Sequence, residues 1–131
     1  MSLANQAGAL TAVNILAPID ATATANATSA WVDCRTFEGD LALVCHAGIL
    51  DAGSLTWTAE HATDGSGTGA AAITFNEGAF TQVTTSNDDP NIQIRTFPAK
   101  AIGGWVKLTG TIVTGGALVS ASIVGRKKYS T

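Results

Sequence analysis

Residues 31–48, WVDCRTFEGDLALVCHAG, gather both cysteines of the chain and one of its two histidines. Three chemistries suit such a set: a disulfide, a metal site, or a thiol nucleophile with a base. Structural zinc takes four ligands, commonly with two cysteines two to four residues apart. Here ten residues separate Cys34 from Cys45. His46 directly follows Cys45, so in a strand it points to the opposite face; His61 could approach from the next strand, but nothing in the spacing requires it. A reactive thiol needs a neighbouring base or a helix N-terminus to lower its pKa, and the sequence offers neither. If Gly39-Asp40 form the centre of a two-residue turn, Cys34 falls opposite Cys45 in a hairpin. That would be a hydrogen-bonded cross-strand pair about 5.5 Å apart at Cα, where a disulfide is strained. The expectation is therefore two reduced, apolar core thiols, close neighbours across a hairpin, with no metal or other cofactor.

Other polar clusters are weaker as chemistry. Asn87-Asp88-Asp89-Pro90-Asn91 groups oxygens but lacks the closing glutamate of a calcium loop. Asp64-Gly-Ser-Gly-Thr-Gly is glycine-rich but lacks the Lys-Ser/Thr of a phosphate loop and opens no helix. Both segments are expected to be exposed tips or contact loops. Arg126-Lys127-Lys128 holds three of the seven basic residues. On an acidic chain it is expected to end a strand or pair with an acidic neighbour in an assembly, in preference to binding nucleic acid. Trp31, Trp57 and Trp105 sit in alternating patterns, so core packing is expected for at least two of them; exposed, they would make a sugar platform or an interface anchor. No acid–base pair stands out, and no enzymatic activity is expected.

The elements that must position these residues are strands. No segment keeps a helical period for three turns, whereas strand-like runs recur between turn signals. The first covers residues 10–17 and ends at Pro18. ATATANATSA, residues 21–30, reads as an extended arm or an outer strand. Trp31–Phe37 and Leu41–His46 are expected to pair about the Gly39-Asp40 turn. In SLTWTAEHA, Leu55, Trp57, Ala59 and His61 share one face. NIQIRTF places Ile92 and Ile94 inward and Gln93 and Arg95 outward. GGWVKLTGTIV and ALVSASIVG read as one long hairpin with a Thr-Gly-Gly tip. Short strands joined by glycine-rich turns predict an all-β fold, a single antiparallel, jelly-roll-like β-sandwich of about eight strands. It would be one domain over residues 1–131, with an extended N-terminal segment over residues 1–30.

Composition narrows the class. The chain of 131 residues is 46% hydrophobic but only 13% charged, about half the usual share. A net charge of −3 and a pI near 5.1 give no bulk attraction for nucleic acid or anionic membranes. The first residues have no basic stretch before their apolar run, which predicts no secretory leader and synthesis in a reducing cytoplasm. No run reaches the roughly 20 apolar residues of a membrane-spanning helix.

Several segments together resemble the small β-sandwich proteins of tailed-bacteriophage structural genes. The matching residues are Trp31-Val32-Asp33-Cys34, Leu55 to His61 with Asp64-Gly65, and Val124 to Tyr129 with its Val-Gly-Arg-Lys-Lys-Tyr ending. Many such proteins have Leu or Val where Cys34 and Cys45 stand, which favours core thiols. Where they often begin the penultimate strand with an aromatic and Arg, this chain has Trp105-Val106-Lys107. The resemblance implies a structural virion protein, foremost a decoration (cement) protein on the capsid exterior, made in the host bacterium's cytoplasm. Its partner would be the major capsid protein, and it would self-associate, in one form as trimers. A tail or fibre component is the alternative, and a carbohydrate-binding sandwich a more distant one. Thr22, Asn26, Asp64, Ser66, Thr68, Asp88, Asp89, Arg126, Lys127 and Lys128 are the expected partner contacts, and neither nucleic acid nor membrane is an expected partner.

Overall fold

The computed structural model describes residues 10–22, 26–88 and 91–128. Ten strands follow in order: β1 (Leu10–Thr22), β2 (Ala27–Thr28), β3 (Val32–Asp33), β4 (Phe37–Ala47), β5 (Ser54–Ala62), β6 (Ala71–Ala72), β7 (Val83–Thr84), β8 (Asn91–Pro98), β9 (Trp105–Val113) and β10 (Gly116–Lys127). A single 3-10 turn, Ala99–Ala101, follows β8. One sheet has the order β1-β10-β4-β8. In the other, β2 and β3 share one side of β9, while β6 and β7 share the far side of β5. Each sheet thus has four strand positions, all pairs are antiparallel, and the order is that of a jelly roll. The expected all-β sandwich is present.

Alternation builds the core. β4 buries Leu41, Leu43, Cys45 and Ala47; β10 buries Ala117, Val119, Ala121 and Ile123. From the other sheet come Leu55, Trp57 and Ala59 of β5 and Val106, Leu108 and Ile112 of β9. The β5 stripe follows the sequence expectation, with Thr58 and Glu60 on the exposed side. Trp57 lies opposite Gly110 in register, and a Cβ at Gly110 would sit 2.8 Å from the indole Cζ3. Glycine there makes room for the largest core side chain.

Four local expectations are corrected. Gly39-Asp40 is not a hairpin turn: Phe37 to Ala47 is one strand. Between the pairs Val124↔Ala42 and Arg126↔Glu38, residues 39–41 bulge against the single residue Gly125, and Gly39 supplies the left-handed φ of +71°. The true turn is earlier, where the Phe37 amide donates to the Cys34 carbonyl and the chain crosses from one sheet to the other. The last two strands are not a hairpin either. β9 pairs with β5, β2 and β3, whereas β10 pairs with β1 and β4. Thr114-Gly115, both at positive φ, carry the chain between sheets. Strand β1 runs past Pro18 to Thr22 along β10, accommodating the proline in a register irregularity between Leu16 and Ile19. The expected first strand at residues 10–17 is thus present, and it continues within the sandwich through Thr22. Finally, β8 has the opposite phase: Gln93 is buried, and Ile92 and Ile94 are exposed.

Candidate functional site

The cysteines are the first residues to place. Cys34 follows the short strand β3, and its amide donates to the Gly104 carbonyl at 2.7 Å. Cys45 lies mid-strand in the other sheet, opposite Ala121 and Gln93. The two are both free and buried, as expected for core thiols, but they do not face each other across a hairpin. Burial pushes the Cys34 thiol up to about 12 and raises Cys45 as well, which disfavours the thiolate form of both at neutral pH. Among the described residues no three His, Cys, Asp or Glu side chains come together as metal ligands.

The glycine-rich loop is folded down onto tryptophans. Asp64 organises it: one carboxylate oxygen accepts from the Ser66 amide at 2.9 Å and the Thr68 amide at 3.1 Å, and the other accepts from the Thr68 hydroxyl at 2.5 Å. These bonds, the Thr68 hydroxyl foremost, lower the Asp64 pKa. Gly65 then lies on Trp105 and Gly67 on Trp31, where a Cβ would come within 3.1 Å of either ring. Arg35 stands 5.3 Å from the Trp105 ring centroid, and Lys107 stands 5.7 Å from that of Trp31. Arg35 is itself held by Asp33 at 2.8 Å, which lowers the Asp33 pKa from 3.8 to about 2. Only Trp57 of the three tryptophans is core; the other two are half-buried beneath this loop.

The remaining expected contact residues have mixed placements. Thr22 ends β1, paired with Gly116 and half-buried. The Asn26 side-chain oxygen accepts from the Ile112 amide at 3.1 Å, closing the edge of β9 just before β2. Asp88 is buried, and its carboxylate accepts from the Leu50 amide at 2.5 Å; it fastens two loops and is no exposed tip. Asp89 lies outside the described residues. Arg126 and Lys127 complete β10, with Arg126 3.6 Å from Glu38, and the Lys128 amide donates to Thr36. All three basic side chains remain exposed.

The feature that sequence reasoning missed is the outer face of the β1-β10-β4-β8 sheet. Its rows run Asn14–Ser122–Val44–Ile94 and Val124–Ala42–Thr96, with Ser120–His46–Ile92 beside them. Leu118, Ile92 and Ile94 are 65%, 58% and 52% exposed. Its carboxylates and Arg126 stand at its ends, Asp20 opposite Leu118, Glu38 opposite Arg126 and Asp40 opposite Pro98, while His46 lies within it. A shallow cleft of about 360 Å³ opens between Pro18, His46 and Leu118. The signal was ambiguous in sequence because Ile92 and Ile94 alternate with Gln93 and Arg95, which normally marks the isoleucines as inward. The structure reverses this because the Gln93 amide pairs both ways with the Thr81 backbone at 2.8 Å, while Arg95 reaches the Gly78 and Ala79 carbonyls.

No family model matches the chain, and no curated protein matches its sequence. Solved structures do match in fold. The SPBc2 prophage-derived protein YomS superposes with a TM-score of 0.50 at 12% identity, covering 88% of this chain and 93% of that one. Tripeptidyl peptidase 2 gives a TM-score of 0.57 at 10% identity over 90% of this chain, which spans only 10% of the peptidase. The infectious bursal disease virus VP2 subviral particle follows with a TM-score of 0.48 at 11% identity, over 88% of this chain and 31% of VP2; a likeness at that level carries no weight. At such identities the likenesses establish the sandwich fold and nothing finer.

Proposed function

We propose that the protein is a non-enzymatic structural component of a tailed-phage virion, a decoration protein that binds the outer surface of the assembled capsid. The observation that carries this reading is the outer face of the β1-β10-β4-β8 sheet. It is broad, built from hydrogen-bonded strands and nearly free of charge, with Leu118, Ile92 and Ile94 standing out from it. Apolar side chains grouped on one rigid face mark an association surface. The sequence resemblance points to virion proteins, and the fold likeness to a prophage-derived protein is in keeping with it. A protein that binds only the assembled shell stabilises it by mass action, and self-association or many neighbouring copies would add avidity. Trp31 and Trp105, each flanked by a glycine and a cation, are poorly disposed as an open sugar platform.

The test is co-sedimentation with undecorated, expanded capsids, together with the melting temperature of the shell. Binding and a raised shell transition are expected, and Leu118→Asp with Ile94→Glu should abolish both while the isolated protein melts as before. Absence of binding to capsids would reject the proposal, and binding to purified tails instead would favour the tail-component alternative.

A further inference from the structure

The two ends of the sandwich differ in charge and in shape. At one end β4 and β9 begin and β8 and β10 finish, and a cleft of about 330 Å³ opens there. Buried Cys34 and Phe37 and half-buried Ala99 and Ile102 give it apolar walls, and exposed Lys100 and Lys128 also line it. Lys100 belongs to the 3-10 turn after β8, and Lys128 directly follows β10. The other charged lining residues are already engaged, Arg35 with Asp33 at 2.8 Å and Glu38 with Arg126 at 3.6 Å. The Lys100 and Lys128 ammonium groups have neither an ion pair nor a hydrogen bond among the described residues. Asp40 stands nearby on β4, opposite Pro98, but does not line the cleft.

The opposite end, roughly 30 Å away along the 11 residues of β4, has the reverse character. Asp20 lies there on β1, opposite Leu118. Asp51 lies in the β4–β5 turn, where its amide donates to the Gly116 carbonyl at 3.0 Å. Both side chains are exposed, and neither carboxylate has an ion pair or hydrogen bond among the described residues. Among the described residues, the segments that build this end, 16–22, 46–54, 83–88 and 111–120, contain no Lys or Arg. Ile49, two residues before Asp51 in the same turn, is 67% exposed. The turn is braced, since the Leu50 amide donates to Asp88 and Gly53 packs on the Val113 carbonyl. It therefore presents Ile49 and Asp51 as a firm apolar and acidic knob.

We propose that the β4–β5 turn of one copy docks in the lysine-rimmed cleft of the next, so that the protein associates head to tail. Ile49 meets the apolar walls, and the Asp51 carboxylate pairs with Lys100 and Lys128. A second copy suits the cleft because its turn offers both an apolar side chain and an unpaired carboxylate, the complements of the walls and the rim. Unlike charge at the two ends steers the encounter, and the apolar contact holds the pair. The two surfaces are different, so the contact is heterologous, and a docked pair still presents one free cleft and one free turn. The contact leaves the outer face of the β1-β10-β4-β8 sheet uncovered and does not depend on the capsid reading.

The experiment is sedimentation velocity of the full chain and of variants blocked at one end. Self-association of the wild type should weaken at least about tenfold between about 0.02 M and 0.5 M salt. Lys100→Gln with Lys128→Gln blocks the cleft, and Ile49→Ser with Asp51→Asn blocks the turn. All four positions are exposed, and both variants should melt as the wild type does. Each alone should be monomeric. An equimolar mixture should form dimers that grow no further, because only one intact cleft and one intact turn remain to meet. Ile94→Glu, on the outer face, should associate as the wild type does. The proposal is overturned if the wild type stays monomeric at millimolar concentration in low salt, if either double variant associates alone, or if their mixture does not dimerise. Loss of association in Ile94→Glu overturns it as well, since the contact would then be the outer face.

Discussion

Asp88 shows how a residue that looks like surface chemistry can be structural. Its setting, Asn-Asp-Asp-Pro, reads as a solvated tip, yet the carboxylate is buried and accepts from the Leu50 amide, 38 positions away in sequence. Asp88→Ala would leave that buried amide without an acceptor and should cost about 1–3 kcal/mol, measurable by urea denaturation. Asp64 was legible as a loop residue, but its use was not: only the folded loop shows the carboxylate turned back on Ser66 and Thr68. The cysteines were legible as core residues from the lack of any ligand spacing. With both thiol pKa values raised by burial, neither should react with iodoacetamide at pH 8 in the native protein, and both should react in denaturant. Rapid labelling of either thiol under native conditions would contradict its burial.

The strand of residues 54–62 could be read directly because one of its faces is apolar and the other is Thr and Glu. The bulge in β4 could not. Gly39-Asp40 is good hairpin chemistry in isolation, and only the crossing at residues 34–37 shows that the chain has already changed sheets. The β9–β10 connection failed for a different reason. Val106, Leu108 and Ile112 and then Val119, Ala121 and Ile123 each form a buried stripe. Two such stripes in succession can lie side by side in one sheet or face each other across the core, and alternation is the same in both cases. The bulge has a packing counterpart at Gly125, where a Cβ would lie 2.3 Å from Leu41 Cδ2 and 2.8 Å from Phe37 Cδ1. Gly125→Ala should therefore destabilise by about 1–3 kcal/mol through overpacking. Ser122→Ala, two rows along on the outer face, should stay within about 0.5 kcal/mol. Equal effects in thermal melts of the two variants would argue against the bulge geometry.

Acid stability reflects carboxylates spread over the molecule. Asp33 is held low by Arg35, Asp64 by Thr68 and Glu77 by Thr96. A carboxyl whose pKa is lower when folded contributes stability above its unfolded pKa, about 4, and loses it as pH falls through the folded value. The melting temperature should thus fall as pH drops from about 4 toward the Asp33 value of about 2. The Asp33 component should shrink in high salt because its partner is an exposed Arg. A variant carrying Asp33→Asn, Asp64→Asn and Glu77→Gln should show a flatter profile over that range; an unchanged slope would mean that other groups set it.

The jelly-roll order also fixes when the protein can fold. Strand β1, residues 10–22, has a single sheet neighbour, β10, residues 116–127. On a ribosome adding about 5–20 residues per second, roughly 5–20 s pass between the two strands. For that interval β1 has no sheet partner, and its apolar Leu10, Val13, Ile15 and Leu16 are available to wrong partners, including the same strand of a neighbouring nascent chain. Pro18, which interrupts the register of the finished pair, also interrupts any such premature pairing. Strand β10 is therefore the one that commits β1, and yield in the cell should depend on translation rate and temperature more than the stability of the finished sandwich would suggest.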